Sequence, residues 1–469
     1  MGTMTHAAGR LAFSKAADIV LKNVEKDREK ELVKLVDLAE KYMSGEKLDL
    51  DFDKAREMMS NKDCTLNRYI NRLLDEVDPH VLKTTLLNLG YEAFFYGTKT
   101  IRKMREIHQC NVPWLILMDP TSACNLHCTG CWAAEYGNRL NLTFEEMDHL
   151  ITQGKEIGIY FYMFTGGEPL VRKKDIIRLC EKHNDCAFLA FTNGTLVDEA
   201  MCQEMKRVGN LYLAISLEGF EAVNDLRRGE GVYGKVMRAM DLLKKNGLIF
   251  GTSICYTSKN IETVTGDEFV NLMVEKGCRY ALYFHYMPVG NDAAVELLPT
   301  VEQRKYMRTR VREIRNMTYG PGLFTMDFQN DGEFVGGCIA GGRNYFHINA
   351  NGDAEPCVFI HYSGANIRTH SLLEILKQPL FMAYRDNQPF NKNHLRPCPM
   401  LENPEILERM VKETGAKSTD LESPESVEHL CGKCHAYAES WKPAADELWA
   451  HTTCRKKSYE NYKHEENEC

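Results

Sequence analysis

At 469 residues the chain exceeds what one hydrophobic core usually organises, so two or three domains are expected. Its 44% hydrophobic and 26% charged fractions lie near globular averages, and 33 Gly and 15 Pro are too few for a low-complexity chain, so disorder should be local. A formal net charge of -8 gives no general attraction to nucleic acid or anionic lipid, which excludes a nucleic-acid partner by default.

The first twenty residues lack a basic stretch followed by an apolar one, so no secretory leader is expected. No run reaches the ~18 apolar residues of a membrane span. The setting expected is cytoplasmic and reducing, where 17 cysteines argue against a disulfide framework and for metal or redox chemistry. Seven of them, Cys64, Cys110, Cys180, Cys186, Cys202, Cys255 and Cys278, are expected as small buried core residues.

Residues 1–110 read as a helical region. Ile19, Val20, Leu32, Leu35, Val36 and Leu38 recur at helix spacing among alternating Lys and Glu. The aromatic and basic run 91–105 suits either a lipid interface or a helix buried against the rest of the protein.

From 111 to 333 the periodicity changes. Short apolar runs at 114–119, 160–165, 187–192, 211–217, 249–256 and 280–287 alternate with helical stretches at 144–157, 174–183, 199–208, 232–246 and 268–276. Repeated βα units imply a parallel sheet, either doubly wound or a full or partial barrel, with chemistry in the loops at the C-terminal strand ends. From 334 to 469 the pieces are shorter. Asn351-Gly352 between NYFHI and AEPCVFI predicts a hairpin. Cysteine density returns with Cys338, Cys357, Cys398, Cys431, Cys434, Cys454 and Cys469, and the polar last ten residues are expected to fray.

The densest chemistry is Cys124-Asn-Leu-His-Cys128-Thr-Gly-Cys131, immediately after the first predicted strand. Three thiolates within eight residues can converge on one metal centre, as in iron–sulfur sites. Structural zinc is the competitor, but it takes four protein ligands and this run supplies three, unless His127 folds back. Two other patterns are set aside. Gly229-Glu-Gly231-Val-Tyr-Gly234 satisfies a dinucleotide fingerprint without directly leaving a strand, and Cys431-Gly-Lys-Cys434-His435 satisfies a haem-attachment pattern without an export signal.

The three cysteines, together with Thr165-Gly166-Gly167-Glu168-Pro169 after the second predicted strand, resemble the paired signature of radical S-adenosylmethionine (SAM) enzymes. The resemblance implies an α/β fold, a partial (β/α)6 TIM-like barrel, with a [4Fe–4S] cluster on Cys124, Cys128 and Cys131. SAM would chelate the open iron, and reductive cleavage would yield a 5′-deoxyadenosyl radical that abstracts a substrate hydrogen. Glu168 and the backbone of Gly166 and Gly167 would hold the SAM amino group, with Pro169 completing the cofactor-binding motif; the competing reading is an ordinary Gly-rich turn with Pro169 opening the next helix. Asn193, Ser216 and Glu218 match positions that touch the methionyl and ribose parts, Arg228 is a further carboxylate contact, and Met287 a candidate for adenine packing. The family often has an aromatic residue before the third cysteine. Here Gly130 stands there, with Trp132 as a replacement candidate.

Cys338, Cys357 and Cys398, with Gly364-Ala-Asn366-Ile367, resemble the auxiliary-cluster (SPASM or twitch) domains of such enzymes, with Cys434, or alternatively Cys431, as a fourth ligand of one auxiliary [4Fe–4S] cluster. Zinc on the same thiolates competes. The implied function is an oxidoreductase or C–H-modifying enzyme acting on a peptide, lipid or small molecule and served by a flavodoxin or ferredoxin. The alternatives are a metal-binding scaffold and an electron-transfer protein.

Overall fold

The computed structural model describes residues 3–24, 26–43, 51–133, 137 and 139–452, so Cys454, Cys469 and the polar tail lie outside the described residues. Six strands follow in order: β1 (Leu115–Met118), β2 (Phe161–Phe164), β3 (Ala187–Thr192), β4 (Leu211–Ser216), β5 (Phe250–Tyr256) and β6 (Tyr280–His285). Each pairs in parallel with the next, and helices Phe144–Glu156, Lys173–Lys182, Glu199–Val208, Val232–Lys245 and Asp267–Glu275 fall in the connections. This is the α/β arrangement of a partial (β/α)6 barrel. Local chemistry sets the helix ends. Thr143 and Glu146 form a capping box at the first of these helices, and Asp198 caps the third, which stops at Gly209 in the left-handed region.

Three further strands extend the sheet: β7 (Phe324–Asp327) beside β6, β8 (Tyr345–Ile348) in parallel beside β1, and β9 (Ala354–Glu355) antiparallel to β8. The expected hairpin at 349–353 therefore exists, but its first arm is also a strand of the main sheet. All four residues of β8 are buried, because an apolar NYFHI run can be covered on both faces only inside such a sheet. No strand was expected at β7, a four-residue edge strand whose Phe324 and Met326 are part exposed.

Successive side chains alternate between two cores. Ile116, Met118, Tyr162 and Phe164 join the layer packed under the helices, with Met147, Leu150 and Ile176. Leu117, Met163, Phe191, Phe284 and Tyr345 turn inward and pack with Met287, Phe359, Leu401 and Trp441 of the C-terminal third.

The N-terminal part is helical, running from Thr3–Asn23 to Thr98–His108 with wider π-type turns over Leu86–Gly97. Leu32, Val36 and Met59 make a small core of their own, whereas Val77, Val81, Ala93 and Ile101 belong to the main core. The run 91–105 is built into the body. Tyr91 and Arg105 are buried, and Arg105 Nε donates to the Val112 carbonyl at 2.9 Å. Among the described residues no helix is long and apolar enough to cross a membrane.

Because β8 is part of the main sheet, truncating fully buried Phe346 to Ala should destabilise the whole fold by about 3–5 kcal/mol. Chemical denaturation followed by far-UV circular dichroism should show one shifted transition and no early loss of the C-terminal third alone.

Candidate active site

Cys124, Cys128 and Cys131 stand in the loop leaving β1, all three part exposed. Their thiols act on one another electrostatically. Burial raises the pKa of Cys124 and Cys128, opposed at Cys128 by Arg228, whose Nη1 lies 3.9 Å from Cys128 Sγ. Leu126 N–H points at Cys124 Sγ, 3.4 Å away. Among the described residues no three His, Cys, Asp or Glu side chains stand close enough to hold a single metal ion.

The loop after β2 runs against this loop backbone to backbone. Gly167 N–H donates to the Thr121 carbonyl at 3.0 Å and Glu168 N–H to the Ala123 carbonyl at 2.8 Å. A Cβ on Gly167 would fall on the carbonyl oxygens of Ser122 and Ala123. Gly166 has φ +105° with the Thr121 oxygen 2.5 Å from its Cβ position. The glycines are thus required by the approach of the cysteine loop itself.

Glu168 is 1% exposed and ties this pair to β3. Its Oε1 accepts from Leu170 N–H (2.9 Å) and Thr192 Oγ1–H (2.7 Å), and its Oε2 from Asn193 N–H (2.7 Å). Burial raises its pKa against these bonds. Three acceptor positions are filled by protein, leaving one on Oε2. Pro169 is buried and opens the short turn Pro169–Arg172. The Asn193 amide donates to Asn125 Oδ1 at 2.9 Å, so this side chain holds the cysteine loop. Ser216 ends β4 in register with Ser253 of β5.

Glu218 is fully buried just beyond β4. Its Oε1 gathers Arg227 Nη1 (2.6 Å) and Arg228 Nε (3.1 Å) and Nη2 (2.5 Å), while Oε2 has no hydrogen-bond partner among the described residues. Arg227 in turn holds the cysteine loop, donating from Nε to the Thr129 carbonyl at 3.1 Å and accepting Thr129 N–H at its own carbonyl at 3.0 Å. A buried acceptor without a donor, beside thiols and guanidinium groups, fits a bound cofactor that brings hydroxyl or N–H groups.

Tyr286, just past β6, accounts for Gly130. A Cβ there would lie 2.9 Å from the Tyr286 ring, so an aromatic from the segment after β6 fills the place beside Gly130. Trp132 instead sits edge-on to His347, Phe359 and His361, with centroids 5.8, 6.3 and 6.1 Å away. Met287 is buried in the interior core.

Three features escaped the sequence. Cys255, expected in the core, is part exposed, whereas Cys64, Cys110, Cys180, Cys186, Cys202 and Cys278 are buried. It is the last residue but one of β5, in register with inward-facing Phe284, and is influenced by Arg227 and Glu218, with burial lifting its pKa to about 11. The alternation Ser253-Ile-Cys255 carried that signal. Arg227 had none beyond its charge. Finally, His347 on β8 is clamped between Asp119 Oδ1 (2.9 Å) and Glu355 Oε2 (2.7 Å), all three fully buried.

The second cysteine group lies in the C-terminal third. Cys338, Cys357 and Cys398 influence one another. Cys398 N–H donates to Glu402 Oε2 at 2.6 Å. Burial lifts the pKa of Cys338 to about 12 and of Cys357 to about 11. Cys431 and Cys434 are both buried near the start of helix Val427–Ala450. Cys434 is influenced by Cys431 and by Glu402, the residue that also faces Cys398. A buried tyrosine hydroxyl, that of Tyr384, has no partner among the described residues and is influenced by Cys338, Cys357, Cys398 and Cys431. An orphaned donor of this kind fits a bound group rich in sulfur acceptors.

Comparison with known proteins agrees with this layout. A model of the radical SAM superfamily matches residues 118–273, and one of an iron–sulfur cluster-binding domain, SPASM, matches residues 338–400. An Fe-coproporphyrin III synthase of Methanosarcina barkeri is 25% identical over 321 residues, covering 61% of this chain and 79% of that protein. A PqqA peptide cyclase of Granulibacter bethesdensis is 26% identical over 301 residues, covering 58% and 76%. The crystal structure of Streptococcus suis SuiB bound to precursor peptide SuiA shares the fold, with TM-score 0.53, 19% identity, and coverage of 65% of this chain and 74% of that one.

Two outcomes follow. Gly167→Ala should push the 121–123 backbone away and lower the iron retained after reconstitution, measured per chain against wild type, while the far-UV spectrum is kept. Burial works to lower the pKa of His347, but Asp119 and Glu355 outweigh it and raise it to about 10. Its contribution to stability is therefore complete below the ordinary value of 6.5 and lost as pH rises toward 10. Urea unfolding between pH 6.5 and 8.5 should show stability falling in wild type, with the slope reduced in His347→Gln.

Proposed function

This chain belongs to the radical SAM superfamily and carries a SPASM iron–sulfur domain, and from there we propose that it cleaves SAM reductively to start hydrogen abstraction from an organic or peptide substrate. Chains of this kind use SAM and [4Fe–4S] clusters. When bound, these supply one electron and a 5′-deoxyadenosyl radical that takes a hydrogen atom from substrate.

The observation that carries the reading is the convergence of four strand ends on one cysteine loop. Cys124, Cys128 and Cys131 would hold the first cluster. The loop at 166–168 is locked beside them by Glu168, which keeps one acceptor position for the SAM ammonium. Glu218 Oε2 and Ser216, at the end of β4, would take hydroxyl groups of the cofactor, and Asn193 fixes the loop that carries Cys124. Leu117, Met163, Phe191, Phe284 and Met287 line the interior with apolar surface, which keeps water from a carbon radical. Cys338, Cys357, Cys398 and Cys434 would hold the auxiliary cluster. Low-potential clusters suit a cytoplasmic setting with a flavodoxin or ferredoxin as donor. The relatives' names, a synthase of Fe-coproporphyrin III and a peptide cyclase, keep both a small molecule and a peptide as substrate classes.

Anaerobically reconstituted wild type should hold about eight irons and form 5′-deoxyadenosine from SAM and dithionite. A Cys124/Cys128/Cys131→Ala triple variant should keep about four and form none. Iron bound without SAM cleavage by wild type favours an electron-transfer protein, and zinc in its place favours a scaffold.

A further inference from the structure

Two phenols stand at the auxiliary thiols. Tyr345 lies on β8 opposite Leu115 and faces the interior, 4% exposed, with its Oη 2.7 Å from Cys357 Sγ. Tyr384, on helix Pro379–Asn387, is fully buried. Its Oη has no partner among the described residues and feels the charge of Cys338, Cys357, Cys398 and Cys431. The chain between Cys338 and Cys357 is shaped around that ring: Gly341 has φ +63°, and a Cβ there would fall on Tyr384. Packing explains the ring but leaves the hydroxyl without an acceptor, a costly arrangement in a dry interior. Phenylalanine would fill the same space at no such cost.

We infer that Tyr345 and Tyr384 donate hydrogen bonds to the auxiliary cluster, Tyr345 through Cys357 Sγ and Tyr384 to a cluster sulfur, and that together they raise its reduction potential. The inference rests on the reading that Cys338, Cys357 and Cys398 hold a cluster. Reduction adds negative charge to the cluster and its sulfurs, so a donor stabilises the reduced form more than the oxidised one. Hydrogen bonds to sulfur are among the factors that set cluster potentials, and burial strengthens them. Tyr345 and Tyr384 come from different elements, strand β8 and helix Pro379–Asn387, and belong to the same core cluster as Cys357. Both are positioning residues: they act on the cluster's electronics and touch no reacting carbon.

The test uses the Cys124/Cys128/Cys131→Ala background, in which the auxiliary cluster is the remaining one, and an EPR-monitored potentiometric titration. Tyr345→Phe and Tyr384→Phe should each retain about four irons and move the midpoint to more negative potential, by a tenfold change in the reduced-to-oxidised ratio, ~59 mV for one electron. Replacing either residue by difluorotyrosine, which packs alike but donates more strongly, should move it the opposite way. A midpoint unchanged in both replacements at one position, with iron retained, overturns the assignment of that residue. Cys357→Ala in the same background separates the two levels: if it keeps its full iron content, the reading of the cysteine site fails, whatever the tyrosines do.

Discussion

Two loop backbones, 121–123 after β1 and 166–168 after β2, lie close enough that carbonyl oxygens occupy the space of absent side chains. That approach is possible only for glycine at 166 and 167, and the hydrogen bonds from Gly167 and Glu168 to the Thr121 and Ala123 carbonyls hold it. Because 121–123 leads directly into Cys124, the position of the first thiol is set by backbone geometry. Glu168 then carries the constraint sideways. Its buried carboxylate collects donors from its own loop and from the end of β3, so three strand ends are tied together.

The opposite side of the cysteine loop is held by charge. Glu218 draws Arg227 and Arg228 together, and Arg227 grips the Thr129 backbone in both directions. Two guanidinium groups on one buried carboxylate leave excess positive charge near Cys128, which opposes the rise in its pKa that burial causes. Cys255 lies in the same neighbourhood, facing inward from β5.

The C-terminal third is joined to this centre through the sheet. Strand β8 lies directly against β1, and His347 bridges Asp119 at the mouth of β1 to Glu355 of the hairpin that leads to Cys357. Trp132, directly after Cys131, packs among His347, Phe359 and His361. The two cysteine groups are thereby linked by one strand pair and one buried ionic chain.

The sequence by itself determined the alternating βα pattern, because period-2 and period-3.6 runs are local properties of the chain. The predicted strands of β1 to β6 and their helices therefore fall within a residue or two of those observed. It also determined the cysteine and glycine motifs, whose spacing is local. Only the tertiary structure decided that the NYFHI run joins β1, that Cys255 faces the interior, that Tyr286 fills the place beside Gly130, that Arg227 pairs with Glu218, and that Glu218, Asp119 and His347 are buried. Each of these depends on partners tens to hundreds of residues away, and on which face of a strand is turned inward. No local period encodes such pairings: burial and hydrogen-bond satisfaction across the finished fold select them.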